Sequence, residues 1–325
     1  MLDRVSYVGH GLTRPECVLA TASGDLFCAH GDRGVARIRP DGTQMALAAP
    51  TEFGGHPVLA NGIALRGDGS FLVANIADGG GLMELDAEGF RPFHACSTTA
   101  TPPPVNFVLP DETGRIWITV SSTMTPRSLA YRPDVANGYV GVIERGRFRV
   151  VLEGLGYTNE IRADYAGGWL YIAETMAQRV SRVRLDEAGL HGAPEVFARM
   201  PAGAFPDGLA LDAEGGLLVA CIVSNELFRI DPEGGLVLVV GERDAAWAEE
   251  VQAAFAEGTM GRPHLDRAPT RILRNIASVT HAGPGLDRLV CGVLLDDRLP
   301  VLPAPVPGIR PLHWEVEVPD WGAPF

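Results

Sequence analysis

The sequence predicts an all-β fold, a six-bladed β-propeller, on three observations. A frame recurs six times in which a polar residue is followed eight positions later by a glycine and then by a short apolar strand. The first four intervals between repeats, of 45 to 53 residues, suit one propeller blade each. The 39 glycines and 25 prolines form no low-complexity tract and are typical of many short strands joined by turns. The polar residues that lead the repeats are Glu16, Asn61, Asn106, Asn159, Asp207 and Asn275.

Each repeat predicts a hairpin. In the second repeat, Asn61 starts an apolar alternation, Gly69 follows, and the run Phe71-Leu-Val-Ala resumes as a strand. A glycine between two such runs suits a turn that needs a positive φ. Further strand pairs follow each hairpin, so every repeat supplies about four strands, the content of one blade.

The last interval is longer and contains an insertion. Residues 244–257 are rich in Ala and Glu with apolar residues at helical spacing, which predicts a helix before the last blade. A Pro-rich tail from Pro300 to Phe325 is expected to close the ring or to pack on one face. No linker interrupts the chain, so residues 1–325 are predicted to form a single propeller domain.

Composition excludes several classes of function. The net charge of −13 comes without a basic patch, which disfavours nucleic-acid and membrane partners. All 27 basic residues are arginine, which rules out Schiff-base chemistry and a phosphate-binding loop lysine. No apolar segment has the length of a signal or a membrane span. Five scattered cysteines suggest no disulfide framework, and we expect a cytoplasmic protein.

The six leading residues are expected to form a ring at one mouth of the central channel, because the innermost strands of a propeller run along it. Asn61 and Asn275 could instead be turn formers with local backbone bonds. Two acids converging on an axis repel each other unless a cation lies between them. Carboxylate and amide oxygens are hard ligands, so one divalent metal is predicted, Ca²⁺ first, with Zn²⁺, Mn²⁺ or Mg²⁺ as alternatives.

The chain resembles the family of senescence marker protein, gluconolactonase and luciferin-regenerating enzyme across all six repeats. The resemblance implies that the metal is held by Glu16 in Arg-Pro-Glu-Cys, Asn159 in Tyr-Thr-Asn-Glu and Asp207 in Phe-Pro-Asp-Gly-Leu-Ala. It also implies that Asn106, in Pro-Val-Asn-Phe, contacts the substrate or the water at the metal.

The departures from the family pattern concern specificity. Glu16 is followed by Cys-Val where the family has Gly-Pro, and Asn159 is followed by Glu160 where it has glycine. Pro104 replaces an arginine that helps to grip sugar acids in the family. The resemblance therefore extends to the metal site but not to the specificity for sugar lactones. Glu160 adds a carboxylate near the metal.

The sequence thus predicts a metal-dependent hydrolase that opens a small-molecule lactone. Asp207 and Asn106 are the expected catalytic residues, and Asn106, Asn61, Glu160 and Asn275 are expected to bind the substrate. A strictosidine-synthase-like condensing enzyme or lyase without a catalytic metal, and a non-catalytic binding propeller, are the alternatives.

Overall fold

A computed structural model describes residues 1–97 and 102–325, and its strands form six antiparallel sheets. Five sheets have four strands and the first has five, with an additional two-stranded hairpin, Glu52–Phe53 and His56–Pro57. The innermost strands of successive sheets contact each other in a closed cycle, from the first sheet round to the sixth and back. The chain is therefore a six-bladed β-propeller, which confirms the predicted fold class.

The blades follow the chain order, each from the channel outward. Blade 1 consists of Val18–Ala20, Leu26–Ala29, Val35–Ile38, Gln44–Ala46 and Ala323–Pro324. Blade 2 consists of Ala60–Leu65, Phe71–Asn75, Leu82–Asp86 and Gly89–His94, and blade 3 of Phe107–Pro110, Ile116–Val120, Gly138–Glu144 and Arg147–Leu155. Blade 4 consists of Thr158–Asp164, Trp169–Glu174, Arg179–Asp186 and Gly189–Arg199, and blade 5 of Ala204–Leu211, Leu217–Val223, Glu226–Ile230 and Leu236–Gly241. Blade 6 consists of Ile276–Ala282, Arg288–Val293, Leu299–Pro303 and Ser6–Val8.

The repeated glycine sits in the turn between the first two strands of each blade. Five of the six have a positive φ: Gly24, Gly69, Gly114, Gly215 and Gly283. In blade 4 the positive φ, 74°, belongs to Gly168 instead. There the turn is tightened by a hydrogen bond from the Gly167 amide to Oδ1 of Asp164 (2.8 Å), and a Cβ on Gly167 would lie 2.2 Å from Oδ2 of that side chain. Blade 4 thus needs both glycines.

The ring is closed by the N-terminal strand. Ser6–Val8 pairs antiparallel with Leu299–Pro303, the third strand of blade 6. The Pro-rich segment contributes its first residues to blade 6 and Ala323–Pro324 to blade 1, but closure of blade 6 depends on the other end of the chain.

The remaining tail crosses one face of the propeller, the second of the two roles expected for it. Its backbone bonds to blade 5 through the Ala213 amide and the Pro307 carbonyl (2.8 Å). It then bonds to blade 1 through the Ala22 amide and the Trp314 carbonyl (2.7 Å). The tail ends as Ala323–Pro324, paired with Gln44–Ala46.

The predicted helical insertion is present between blades 5 and 6. Helix α1 spans Ala245–Ala256 and is capped by Asp244, whose carboxylate accepts from the Trp247 amide at 2.9 Å. Helix α2 spans Arg262–Asp266. The buried face of α1 packs on blade 5, where Phe255 meets Phe205 edge to face at 5.4 Å between ring centroids.

Three 3₁₀ helices, Leu2–Arg4, Gly31–Arg33 and Arg127–Ala130, complete the structure. In residues 1–97 and 102–325 no helix has both the length and the apolarity that crossing a membrane requires.

Candidate active site

Five of the six leading residues line one pocket at the mouth of the channel where the inner strands begin. They are Glu16, Asn61, Asn106, Asn159 and Asp207. Four of them are between 4% and 7% exposed, and the Glu16 side chain is 12% exposed. The cavity that they share measures about 30 Å³. It is large enough for one water molecule or one ion but not for a lactone ring.

Hydrogen bonds turn the amide oxygens of this ring toward the pocket. Asn61 donates through Nδ2 to the Asn106 carbonyl (3.0 Å), and Asn106 donates through Nδ2 to Oγ of Ser121 (2.9 Å). Asn159 donates through Nδ2 to Oγ1 of Thr175 (3.2 Å). The Asn61 Nδ2 also reaches Oδ1 of Asn106, at 3.5 Å. Among residues 1–97 and 102–325 no donor bonds to Oδ1 of Asn61 or Asn159, so those two oxygens remain available as acceptors or ligands.

The two acids of the ring differ in their partners. Glu16 forms an ion pair with Nε of Arg14. Among residues 1–97 and 102–325, Asp207 has no hydrogen-bond donor and no salt bridge, although its side chain is buried. Burial raises the pKa of Asp207 well above its ordinary value, and the charges of Glu16 and Glu160 raise it further, against the opposing effect of Arg14 and Arg127. An unpaired buried carboxylate beside another acid is the setting in which a bound cation relieves repulsion.

The donor set fits a hard divalent cation. Glu16 and Asp207 offer carboxylate oxygens and Asn159 an amide oxygen, all in the same pocket. Within the part of the chain that the structure describes, no three His, Cys, Asp or Glu side chains are placed so that they could hold a metal ion by themselves. A cation in this pocket would be held by the amide oxygen of Asn159 as well as by the two carboxylates, and hard cations accept both kinds of ligand.

Glu160 lies deeper in the channel and is already engaged. Its Oε2 accepts from Nη2 of Arg162 (2.7 Å) and from the Leu209 amide (3.1 Å). It borders a smaller cavity of about 10 Å³ that it shares with the ring residues, including Glu16 and Asp207. Burial raises the pKa of Glu160, while Arg162 and the Leu209 amide lower it.

Asn275 is the ring residue that the structure does not bring to the pocket. Its side chain is fully buried, its Oδ1 accepts from the Val223 amide (2.8 Å), and its Nδ2 donates to the Leu265 carbonyl (3.1 Å). Both polar groups of its amide are thus used within the protein, and a substrate-binding role for Asn275 stays a prediction. Asn275 directly precedes the inner strand of blade 6 and has a φ of 62°. Its side-chain amide links blade 5 to helix α2.

The roof of the pocket consists of residues that the repeat pattern could not identify. Tyr131 and Tyr157 meet edge to face with their ring centroids 5.4 Å apart. Arg127 begins the 3₁₀ helix of the blade 3 loop, and Arg262 begins α2. Tyr131, Arg127 and Arg262 come from long connections outside the six-fold frame, where the sequence carries no positional signal. Tyr157 directly precedes the inner strand of blade 4, two residues before Asn159.

A larger cavity lies at the opposite mouth of the channel. It measures about 280 Å³, is lined by the apolar ends of the inner strands, and is covered by tail residues 309–313. Its acid Asp111 is occupied, since it accepts from Nε1 of Trp117 (2.7 Å) and from the Tyr165 hydroxyl. Size alone does not identify an active site, and the smaller pocket holds the unpaired Asp207 carboxylate and the amide side chains of Asn61, Asn106 and Asn159.

The fold and the site together define a six-bladed propeller with an oxygen-donor pocket at one end of its axis. The chain belongs to the SMP-30/gluconolactonase/LRE-like family, whose model matches residues 35–241. The matched region includes Asn61, Asn106, Asn159 and Asp207 but neither Glu16 nor Asn275.

Solved structures show the same fold at low sequence identity. A luciferin-regenerating enzyme is 15% identical with a TM-score of 0.69, and 96% of this chain and 99% of that chain are covered. A gluconolactonase from Xanthomonas campestris is 18% identical with a TM-score of 0.67, covering 93% and 90%. Regucalcin from Agrobacterium tumefaciens, described as a calcium-binding protein, is 17% identical with a TM-score of 0.66, covering 96% and 98%. No curated protein sequence matches the chain.

Proposed function

We propose that the protein is a divalent-metal-dependent hydrolase that opens a lactone ring. The observation that carries the proposal is the unpaired, buried Asp207 carboxylate in one small pocket with Glu16 and three amide side chains. Membership of a family named in part for gluconolactonase supports the same reaction class.

The metal would be held by Glu16, Asn159 and Asp207. When bound, it would supply electrophilic polarisation of the ester carbonyl and stabilise the negative charge that develops on the carbonyl oxygen. Calcium is the first candidate because the donors are all oxygen, with zinc, manganese and magnesium as alternatives. The description of the related regucalcin as a calcium-binding protein supports this order.

The protein's own residues account for the proton transfers. Asp207 takes a proton from the attacking water as its oxygen bonds to the carbonyl carbon. The ring C–O bond then breaks, and the proton passes to the departing alkoxide, which yields a hydroxy acid. Asn106 orients the ester or the water, since its side chain lines the pocket and is fixed by Ser121, with 2.9 Å between Nδ2 and Oγ. Asn61 supports it from the neighbouring blade.

We also propose that residues 1–325 act as a single domain in the cytoplasm on a small molecule. All five cysteines are free and buried, which suits a reducing compartment. A pocket of this size suits a small substrate held at its mouth rather than a polymer.

The test is metal analysis of the purified protein together with hydrolysis of sugar, aliphatic and aromatic lactones in the presence of Ca²⁺, Zn²⁺, Mn²⁺ or Mg²⁺. We expect about one divalent ion per chain and hydrolysis that a chelator abolishes. A protein without metal that hydrolyses no lactone would favour a strictosidine-synthase-like enzyme or a binding propeller instead.

A further inference from the structure

Three arginines line the roof side of the pocket, and their partners differ. Arg14 is paired with Glu16. Arg262 is paired with Asp266, with 2.5 Å between Nη2 and Oδ1. Arg127 lines the same pocket and is only partly exposed. Among residues 1–97 and 102–325 it has neither a hydrogen-bond acceptor nor a salt bridge.

The charges around the ring leave room for an anion. Glu16 and Asp207 carry negative charge, and Arg14 and Arg127 carry positive charge. The deeper pair of Glu160 and Arg162 is neutral overall. A divalent cation on the two acids therefore makes the pocket net positive. A negative group on the substrate offsets that charge and strengthens its attraction to the pocket.

The size of the cavity places the substrate beside Arg127. About 30 Å³ holds an ion or a water, so a lactone bound through its carbonyl must extend out of the cavity toward the roof. Arg127 lines that pocket together with Asp207. The guanidinium is thus close enough to the reacting centre to contact a substituent on the ring.

We propose that Arg127 binds a carboxylate on the substrate, so that the substrate class is a lactone bearing a carboxylate outside its ester. This inference rests on the proposed lactonase function. A planar guanidinium matches one carboxylate through two parallel hydrogen bonds, whereas phosphate sites commonly gather several donors. One unpaired arginine therefore fits a singly charged carboxylate better than a phosphate.

The test is a binding measurement that needs no turnover. Two lactams that resist hydrolysis are titrated into the full-length protein with calcium chloride present: 2-pyrrolidone-5-carboxylate, and 2-pyrrolidone without the carboxylate. We expect the wild type to bind the carboxylated lactam at least about tenfold more tightly, the ratio that one charge-assisted hydrogen bond supplies. Equal affinity for the two lactams would overturn the proposal.

Variants test whether Arg127 causes the preference for the carboxylated lactam. Arg127→Gln is expected to remove most of the roughly tenfold preference while leaving the neutral lactam unaffected, and Arg127→Lys to keep part of it. Arg267→Gln, at an exposed arginine outside the pocket lining, is the matched control and should keep the full preference. An Arg127→Gln protein that is folded by circular dichroism and retains the wild-type ratio would refute the assignment.

Two further measurements distinguish the possible outcomes. Inorganic phosphate that displaces the carboxylated lactam more effectively than acetate does would assign the arginine to phosphate and overturn the carboxylate proposal. A protein that hydrolyses no lactone but retains the lactam preference, lost in Arg127→Gln, would end the proposed function and uphold this inference.

Discussion

Glu160 and Arg162 form an ion pair inside the channel, with 2.7 Å between Oε2 and Nη2. The Glu160 side chain is 6% exposed and that of Arg162 is 22% exposed, and the guanidinium also lies over the Phe107 ring at 4.9 Å. The pair therefore neutralises a carboxylate that would otherwise add to the repulsion around Asp207. Its role in the folded protein is electrostatic support beneath the pocket.

Removing the arginine of this ion pair should destabilise the folded protein. Arg162→Met leaves Glu160 buried and unpaired, so we expect the free energy of unfolding to fall by about 3–5 kcal/mol. Adding Glu160→Gln to the same chain should recover most of the loss. Urea unfolding measures both. In the control, Arg132→Met breaks an exposed pair with Asp134 and should change stability by less than about 1 kcal/mol. Equal effects of the two methionine variants would contradict the prediction.

Substitutions at Asp207 and Asn106 should affect metal binding and turnover differently. Asp207→Ala is expected to lose bound metal and at least about 100-fold of the lactonase rate together, because one carboxylate serves as ligand and base. Asn106→Ala should lose about as much activity while retaining most of the metal, because its amide is neutral. Metal content and rate are measured on the same preparations. An Asp207→Ala protein with full metal and near-normal turnover would exclude this ring as the active site.

Metal removal should destabilise the wild type selectively. A cation that binds only the folded state stabilises it, and it also relieves repulsion between Glu16 and Asp207. We expect a chelator to lower the melting temperature of the wild type by roughly 5 °C. The Asp207→Ala protein, which lacks the repulsion and the site, should shift much less. Identical shifts in the two proteins would show that the chelator acts elsewhere.

Aldonolactones should be poor substrates. Pro104 lies two residues before Asn106 and offers no donor for sugar hydroxyls, where the family has an arginine. We expect a higher kcat/KM for smaller lactones without polyhydroxyl chains. Pro104→Arg should raise the aldonolactone rate relative to these. Aldonolactones that the wild type hydrolyses far faster than smaller lactones would show the prediction to be wrong.

His313 should make stability depend on pH. Its pKa is lowered from 6.5 to about 4, mainly by burial and also by the Arg162 charge, against the opposing effect of a hydrogen bond to the Ala20 backbone. Below about pH 6.5 the unfolded chain takes up a proton that the folded chain refuses until about pH 4, so stability falls as pH is lowered through this window. The loss between pH 6.5 and 5 should be up to about 2 kcal/mol.

The control for this dependence is the difference between wild type and His313→Gln, since carboxylates common to both proteins cancel. Urea unfolding at pH 7, 6 and 5 should show the two stability curves converging as pH falls. Parallel curves would mean that His313 titrates equally in the folded and unfolded chains.

The propeller could be predicted because each repeat depends on residues that are close together in the sequence. A glycine turn and two apolar runs specify a hairpin locally, and six such hairpins imply six blades. The shift from Gly167 to Gly168 in blade 4 was not predictable, because it depends on where the Asp164 carboxylate folds back onto the turn. The positions of Glu16, Asn61, Asn106, Asn159 and Asp207 in one pocket followed from their common place in the repeat.

The repeat could not predict contacts made with segments outside it. Asn275 occupies the same place in the frame, but helix α2 lies next to it and the Leu265 carbonyl captures its amide. Arg127 is distant in sequence from the residues that it joins at the pocket, and only the loop path brings it there. Closure by Ser6–Val8 likewise depends on the two ends of the chain meeting.

The pairing of Ser6–Val8 with Leu299–Pro303 has a consequence for the order in which the blades form during synthesis. Blades 2 to 5 are each built from strands adjacent in the chain, so they can form hairpins while the polypeptide is still leaving the ribosome. The sixth blade cannot be completed in this way, because Ser6 must wait for Val301, its partner in the register. The strand Ser6–Val8 therefore remains an unpaired edge until residues 299–301 have been made, and a ribosome stalled before residue 299 would hold a ring that cannot close.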